Sequence, residues 1–261
     1  MEKNAYICIL RIVNQLNIKY MNPFLRIFWL IYIIFIYLPL ALLFTFLTAI
    51  STLIGCTIGD HKKWGYYPGM IWSRLMCALI FSTVKVEGKE NLEKGQSYVF
   101  AANHTSLYDI FIIYGFIGRS FKWVMKEEIR KIPFVGAACK AAGFIFINRK
   151  AMKQALHSVE EAKKTLTNGV SVVIFPEGTR TKTGETNKFK RGAFKIATEM
   201  NLPIVPVSIS GAFNVFPTTR KYPIPGKLKM VIHKPIMLHE DPEHRDEQIE
   251  GIRQIVVDGI E

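Results

Sequence analysis

From Ile27 to Ile58 the chain runs 32 positions without one charged side chain. As a single helix this stretch would extend roughly 48 Å at 1.5 Å per residue, well beyond a ~30 Å hydrocarbon core. Pro39 divides it into pieces of 12 and 19 residues, and a proline inside a helix kinks or breaks it. The pattern therefore predicts a membrane-embedded two-helix hairpin, with a single tilted span as the alternative. Flanking charges agree: Lys3, Arg11, Lys19 and Arg26 precede the run, and Lys62, Lys63 and Arg74 follow it. Basic residues at both ends place both ends on the cytoplasmic side. The run starts too late and is too long for a cleaved leader, and no small-residue cleavage pattern follows it. Before it, Ile9, Ile12, Val13, Leu16 and Tyr20 recur at helical spacing. That is a short amphipathic helix, lying in the membrane interface or packed on the protein's own core.

The rest of the chain has a different character. Overall 49% of residues are hydrophobic and 21% charged, with a net charge of +13. Residues 61–261 hold 30 of the Lys and Arg residues against 19 acids. Partners should accordingly be anionic, such as phosphate-bearing substrates, acidic headgroups or an acidic carrier protein. No nucleic-acid-binding motif is present, so nucleic acid is not an expected partner. Cys8, Cys56, Cys77 and Cys139 are widely spaced, which supports neither a disulfide framework nor a cysteine zinc site. The division expected is an anchoring segment, 1–60, and one α/β domain, 61–261.

Within 61–261 strand and helix patterns interleave, as α/β layering requires. Trp64–Ser82 reads as a helix, followed by strands at Val84–Glu87 and Ser97–Ala102 and a helix from Leu107. Trp123–Met125 and Phe144–Asn148 read as strands, and Ala151–Thr167 as a helix ending at Asn168-Gly169. Then come strand Ser171–Phe175, a basic loop, helix Gly192–Met200, strands Ile204–Ser210 and Lys227–Ile232, and a helix starting near Asp241-Pro242.

Four runs carry chemistry. In Asn103-His104-Thr105-Ser106-Leu107-Tyr108-Asp109, Ser106 and Asp109 fit a capping box. His104 lies two residues ahead of the cap, where the chain can fold back. Asp109 would then hold one imidazole nitrogen while the other accepts a proton. Phe175-Pro176-Glu177-Gly178-Thr179-Arg180 follows an apolar strand, with Gly178 permitting a tight turn and Arg180 offering a fork of donors for phosphate. Gly143–Arg149 ends a strand on a second guanidinium, and Val205-Pro206-Val207-Ser208-Ile209 forms the fourth run. His239, Glu240, Asp241, Glu243 and His244 read as a polar helix entrance rather than a metal site.

These four runs, in this order, resemble the motifs of the bacterial glycerolipid acyltransferases, in the branch that acylates 1-acyl-sn-glycerol-3-phosphate. The departure is Asn148, where many members have Asp. The resemblance covers about Trp64 to Lys234 and extends to the family's membrane-anchoring two-helix element. It implies a glycerolipid-acyltransferase-like α/β domain with an N-terminal hairpin, at the cytoplasmic face of the inner membrane. The implied reaction moves an acyl group from acyl-CoA or acyl-carrier protein to the sn-2 hydroxyl of lysophosphatidic acid, without cofactor or metal. His104 is the implied general base, oriented by Asp109. Lys126, Arg149, Glu177, Gly178, Thr179 and Arg180 are the implied glycerol-phosphate site, and Pro206 shapes the site near the acyl donor. Backbone N–H groups at the helix start after Ser106 are candidate donors to the oxyanion. The competing readings are an acyltransferase for another lysolipid, such as a lyso-ornithine lipid, and a non-catalytic membrane lipid-binding protein.

Overall fold

The computed structural model describes residues 22–147, 169–238, 241 and 243–261. The amphipathic segment Ile9–Tyr20, the helix read at Ala151–Thr167, and Asn148, Arg149, His239, Glu240 and Pro242 lie outside the described residues.

The charge-free run forms one helix, α1 (Pro23–Ile58), rather than two. Asn22 caps it by accepting from Phe24 N at 3.1 Å, and Pro23 sits at its first turn, where a missing N–H costs nothing. The hairpin vertex expected at Pro39 is not there. Instead the turn just before it, Ile33–Tyr37, is widened to π-helical spacing, with Leu38 N bonded to Ile33 O. A wider turn accommodates the proline ring without ending the helix. Thr45, Ser51 and Thr57 return their hydroxyls to the carbonyls of Ala41, Thr48 and Leu53, which lowers the cost of placing them in apolar surroundings. It is long and apolar enough to cross a membrane, and only 6% of its most apolar window is buried. Phe24, Phe28, Phe35, Leu42 and Ile58 all point outward.

The chain reverses at residues 59–66. Asp60 caps a short helix, α2 (His61–Trp64), by accepting from Lys62 N and Lys63 N. The Trp64 ring folds back over Gly55 and Gly59, where a Cβ on Gly55 would lie 2.1 Å from Trp64 Cδ2. Helix α3 (Tyr67–Leu79) then returns antiparallel to α1, joined by Trp72 Nε1 to Thr45 Oγ1 at 3.0 Å and Tyr32 OH to Leu79 O at 2.6 Å.

The domain is a seven-stranded mixed sheet in the order β1-β7-β6-β2-β5-β3-β4. Its strands are β1 (Thr83–Glu87), β2 (Val99–Ala102), β3 (Phe121–Lys126), β4 (Ile145–Ile147), β5 (Ser171–Ile174), β6 (Ile204–Ser210) and β7 (Lys227–Ile232). β6, β2, β5, β3 and β4 run parallel; β7 is antiparallel to β6 and parallel to β1. Strands buried on both faces should be apolar at every position, and β2 is. Phe100 and Ala102 enter the core beneath α3 and α4 (Tyr108–Phe116). Val99 and Ala101 enter the opposite core, beneath α6 (Arg191–Glu199) and α8 (Arg245–Asp258). Two further short helices are α5 (Val135–Ala141) and α7 (Ala212–Val215). Ser208 Oγ donates to Val256 O at 2.7 Å, tying α8 to the sheet.

The close approach of α3 to α4 depends on Gly69, where a Cβ would meet the buried Tyr114 ring at 2.3 Å. Gly69→Ala is expected to destabilise the fold by about 1–3 kcal/mol through overpacking. Gly251→Ala, on α8 with open space around it, should be neutral or stabilising by up to ~1 kcal/mol. Denaturant midpoints of the two variants check the contrast; equal midpoints would show that α3 and α4 can part freely.

Candidate active site

Parallel pairing brings the C-terminal ends of β2, β5, β3 and β4 to one edge of the sheet, in that spatial order. Open α/β sheets bind ligands at such an edge. The loop leaving β2 is fastened first at Asn103, which is fully buried. Its side chain bridges to β6, with Nδ2 donating to Ile209 O at 3.0 Å and Oδ1 accepting from Ile209 N at 2.8 Å. Ser106 Oγ then donates to Phe216 O at 2.8 Å and accepts from Tyr108 N at 3.1 Å. The chain is thereby turned sharply into α4.

Asp109, fully buried in the first turn of α4, faces back toward that loop. Its Oδ2 accepts from Thr105 N at 2.6 Å and from Ser106 N at 2.8 Å, and lies 2.9 Å from His104 Nδ1. The bond to Ser106 N is the return half of the capping box; the contact to His104 shares the same oxygen. Oδ1 has no partner among the described residues. With Nδ1 donating to the carboxylate, the neutral imidazole carries its lone pair on Nε2. Backbone N–H groups near this turn are partly used already: Tyr108 N–H, a candidate oxyanion donor, is taken by Ser106 Oγ.

The second motif lies alongside. Glu177 is buried, only 2% exposed, and both its carboxylate oxygens accept N–H groups. Oε1 accepts from His104 N at 2.6 Å; Oε2 accepts from Asn187 N and Asn187 Nδ2, both at 2.9 Å. Thr181 N donates to His104 O at 3.0 Å, so both backbone groups of His104 are clipped by this loop. Burial raises the Glu177 carboxyl above its ordinary pKa, opposed by the Asn187 and His104 donors. Gly178 takes φ +79, a backbone state that glycine adopts without steric cost.

Of the remaining candidates, Thr179 and Arg180 are exposed on that loop, and Lys126 is exposed at the end of β3. Pro206 is buried inside β6 beside Ala101, and its carbonyl accepts from His233 N at 3.0 Å. It lies next to the strand that leads into His104. Arg149 follows β4 but lies outside the described residues. Asp241 and His244 pair with each other at 2.6 Å, and no metal-binding cluster of His, Cys, Asp or Glu occurs among the described residues. Two contributors carried no chemical signal in the sequence. Asn187 sits in a basic polar loop, and Phe175, whose ring meets that of His104, reads as the apolar end of a strand.

Glu177→Gln keeps the size of the side chain but replaces one acceptor oxygen by a donor. One N–H set, that of His104 or Asn187, then loses its partner. The expected cost is about 1–3 kcal/mol of stability, read from denaturant unfolding, and an unchanged midpoint would show the clip to be unimportant.

The chain's likeness to known proteins agrees with this geometry. Residues 83–210 match the family model Acyltransferase. A chloroplastic 1-acyl-sn-glycerol-3-phosphate acyltransferase of Arabidopsis thaliana is 31% identical over 178 residues, 67% of this chain and 49% of the relative. A 1-acyl-sn-glycerol-3-phosphate acyltransferase of Borreliella burgdorferi is 34% identical over 131 residues, 50% of this chain and 52% of the relative. This chain spans about half the length of such curated relatives. The crystal structure of the 1-acyl-sn-glycerophosphate acyltransferase of Thermotoga maritima superposes with a TM-score of 0.68 at 30% identity. That match covers 84% of this chain and 93% of the other. On motif, fold and similarity together, the chain belongs to the acyltransferase family.

Proposed function

We propose that this protein transfers an acyl group from acyl-CoA or acyl-carrier protein to the sn-2 hydroxyl of 1-acyl-glycerol-3-phosphate, forming phosphatidic acid. The observation that carries the reading is His104 held at 2.9 Å by the buried Asp109 carboxylate at the edge of the parallel strands. Nε2 of His104 takes the hydroxyl proton as the acceptor oxygen attacks the thioester carbonyl carbon. The tetrahedral oxyanion collapses with cleavage of the C–S bond, and the thiolate leaves with the proton from the imidazolium. The thioester is already activated, so this route uses no enzyme nucleophile and no cofactor. Lys126, Arg149 and Arg180 are the proposed holders of the acceptor's phosphate, with Gly178 and Thr179 shaping the turn that carries Arg180. Glu177 serves them indirectly, by fixing the loop against His104.

The substrate and product both reside in a bilayer, which fits an anchor at residues 1–60 ahead of a catalytic domain at 61–261. The exposed apolar surface of α1 supports that anchor, and Tyr67, Ile71 and Leu75 extend it along the outer side of α3. The cytoplasmic face of the inner membrane is the proposed location, with Lys62 and Lys63 in α2, just past the end of α1, favouring that side.

Two measurements test this. Purified protein given lysophosphatidic acid and an acyl thioester should yield phosphatidic acid by mass spectrometry. His104→Ala should cut kcat by about 10²–10⁴, the usual share of a general base; no product from the wild type sinks the assignment. Membrane association should survive ~1 M salt, since apolar burial rather than screened charge holds α1 in lipid. Release by salt would point to a purely peripheral protein.

A further inference from the structure

A hydrogen bond to Nδ1 leaves an imidazole plane free to swing about that bond. Here a second restraint is present. The His104 ring stacks on Phe175 with centroids 3.9 Å apart and planes 11° apart. Phe175 stacks in turn on Trp123, at 5.6 Å and 23°. Trp123 is 5% exposed and is held edge-on by Phe121 at 5.1 Å and by Tyr114 at 6.1 Å. Trp123 lies in β3, while Phe175 and His104 lie just past the ends of the neighbouring strands β5 and β2. Their register explains the alignment. Val173 of β5 pairs with both Phe100 and Trp123, and all three side chains enter the core beneath α4. Side chains alternate along extended chain, so Phe175, two residues past Val173, faces the same way.

We infer that Phe175 is a positioning residue for His104, backed by Trp123. Asp109 fixes one ring nitrogen and Phe175 fixes the ring plane, so the direction of Nε2 is set before any substrate arrives. The imidazolium formed while His104 carries the hydroxyl proton lies over the negative face of an aromatic ring, which attracts cations. The effect on turnover rests on the acyl-transfer reading above; the fixed ring plane does not.

Phe175→Leu removes the ring at similar volume, and Phe175→Tyr keeps it. The His104 ring-proton NMR resonances, assigned by their loss in His104→Gln, should lie upfield in the wild type from those of free imidazole. They should move downfield in Phe175→Leu and return in Phe175→Tyr. In phosphatidic acid formation, kcat of Phe175→Leu should fall roughly tenfold or more while KM for lysophosphatidic acid stays within about threefold. Phe175→Tyr should restore kcat. Unmoved resonances in a folded Phe175→Leu, an unchanged kcat, or a folded Phe175→Tyr as impaired as Leu would each overturn the inference. If the wild type makes no phosphatidic acid, the functional reading falls and the resonances alone decide the role of Phe175. Should Phe175→Leu fail to fold, the decision passes to the wild-type resonances and the Phe175→Tyr variant: no upfield shift overturns the stack.

Discussion

A carboxylate sealed from water is costly unless donors surround it, and Asp109 meets that demand with one oxygen. Thr105 N, Ser106 N and His104 Nδ1 all converge on Oδ2 within 2.9 Å. Its place in the first turn of α4 adds the favourable end of the helix dipole. The turn that closes the helix start and the contact that orients the imidazole are therefore one interaction. The neighbouring bonds keep that turn in register with the sheet. Asn103 holds it to β6, Ser106 to Phe216, and Glu177 and Thr181 hold the His104 backbone to the loop after β5.

The same helix start also meets the apolar element. Tyr108, one residue before Asp109, is buried, and its hydroxyl lies 3.1 Å from that of Tyr37 in the widened turn of α1. Trp29 Nε1 adds a second tie, donating to Pro223 O at 3.0 Å. The long helix thus touches, through the Tyr37–Tyr108 pair, the helix that carries Asp109. An exposed apolar surface and the His104–Asp109 pair are thereby tied together by side-chain contacts. The proline that suggested a hairpin vertex instead accompanies the π-turn through which this contact is made.

Local pattern made much of this legible. Every position of β2 is apolar because both sheet faces are covered, and the Ser106–Asp109 box marked the start of α4. The fold-back that joins His104 to Asp109 also followed from the cap, because a residue two places ahead of it is not bound to helical geometry. The long-range facts were hidden. Pro39 read as a break because sequence carries no signal for a turn widened to take up the ring, whereas Gly55 and Gly59 make the true reversal by admitting Trp64. The antiparallel placing of β7 depends on non-local pairing. Phe175 gave no hint of its contact with His104, since that contact needs β2 and β5 aligned in register.

Glu177 shows how little residue type alone says about a side chain's surroundings. An acid beside an arginine in a loop near phosphate-binding candidates reads as part of one polar cluster, yet its oxygens are consumed by N–H groups of the loop and of His104. Asp109 is treated alike. These two motif acids are turned inward onto N–H donors, while Lys126 and Arg180 remain exposed. That segregation requires buried N–H groups to be available to the acids, and sharp turns at two adjacent strand ends, after β2 and after β5, supply them. The electrostatics of the edge follow from the backbone path as much as from the count of basic residues.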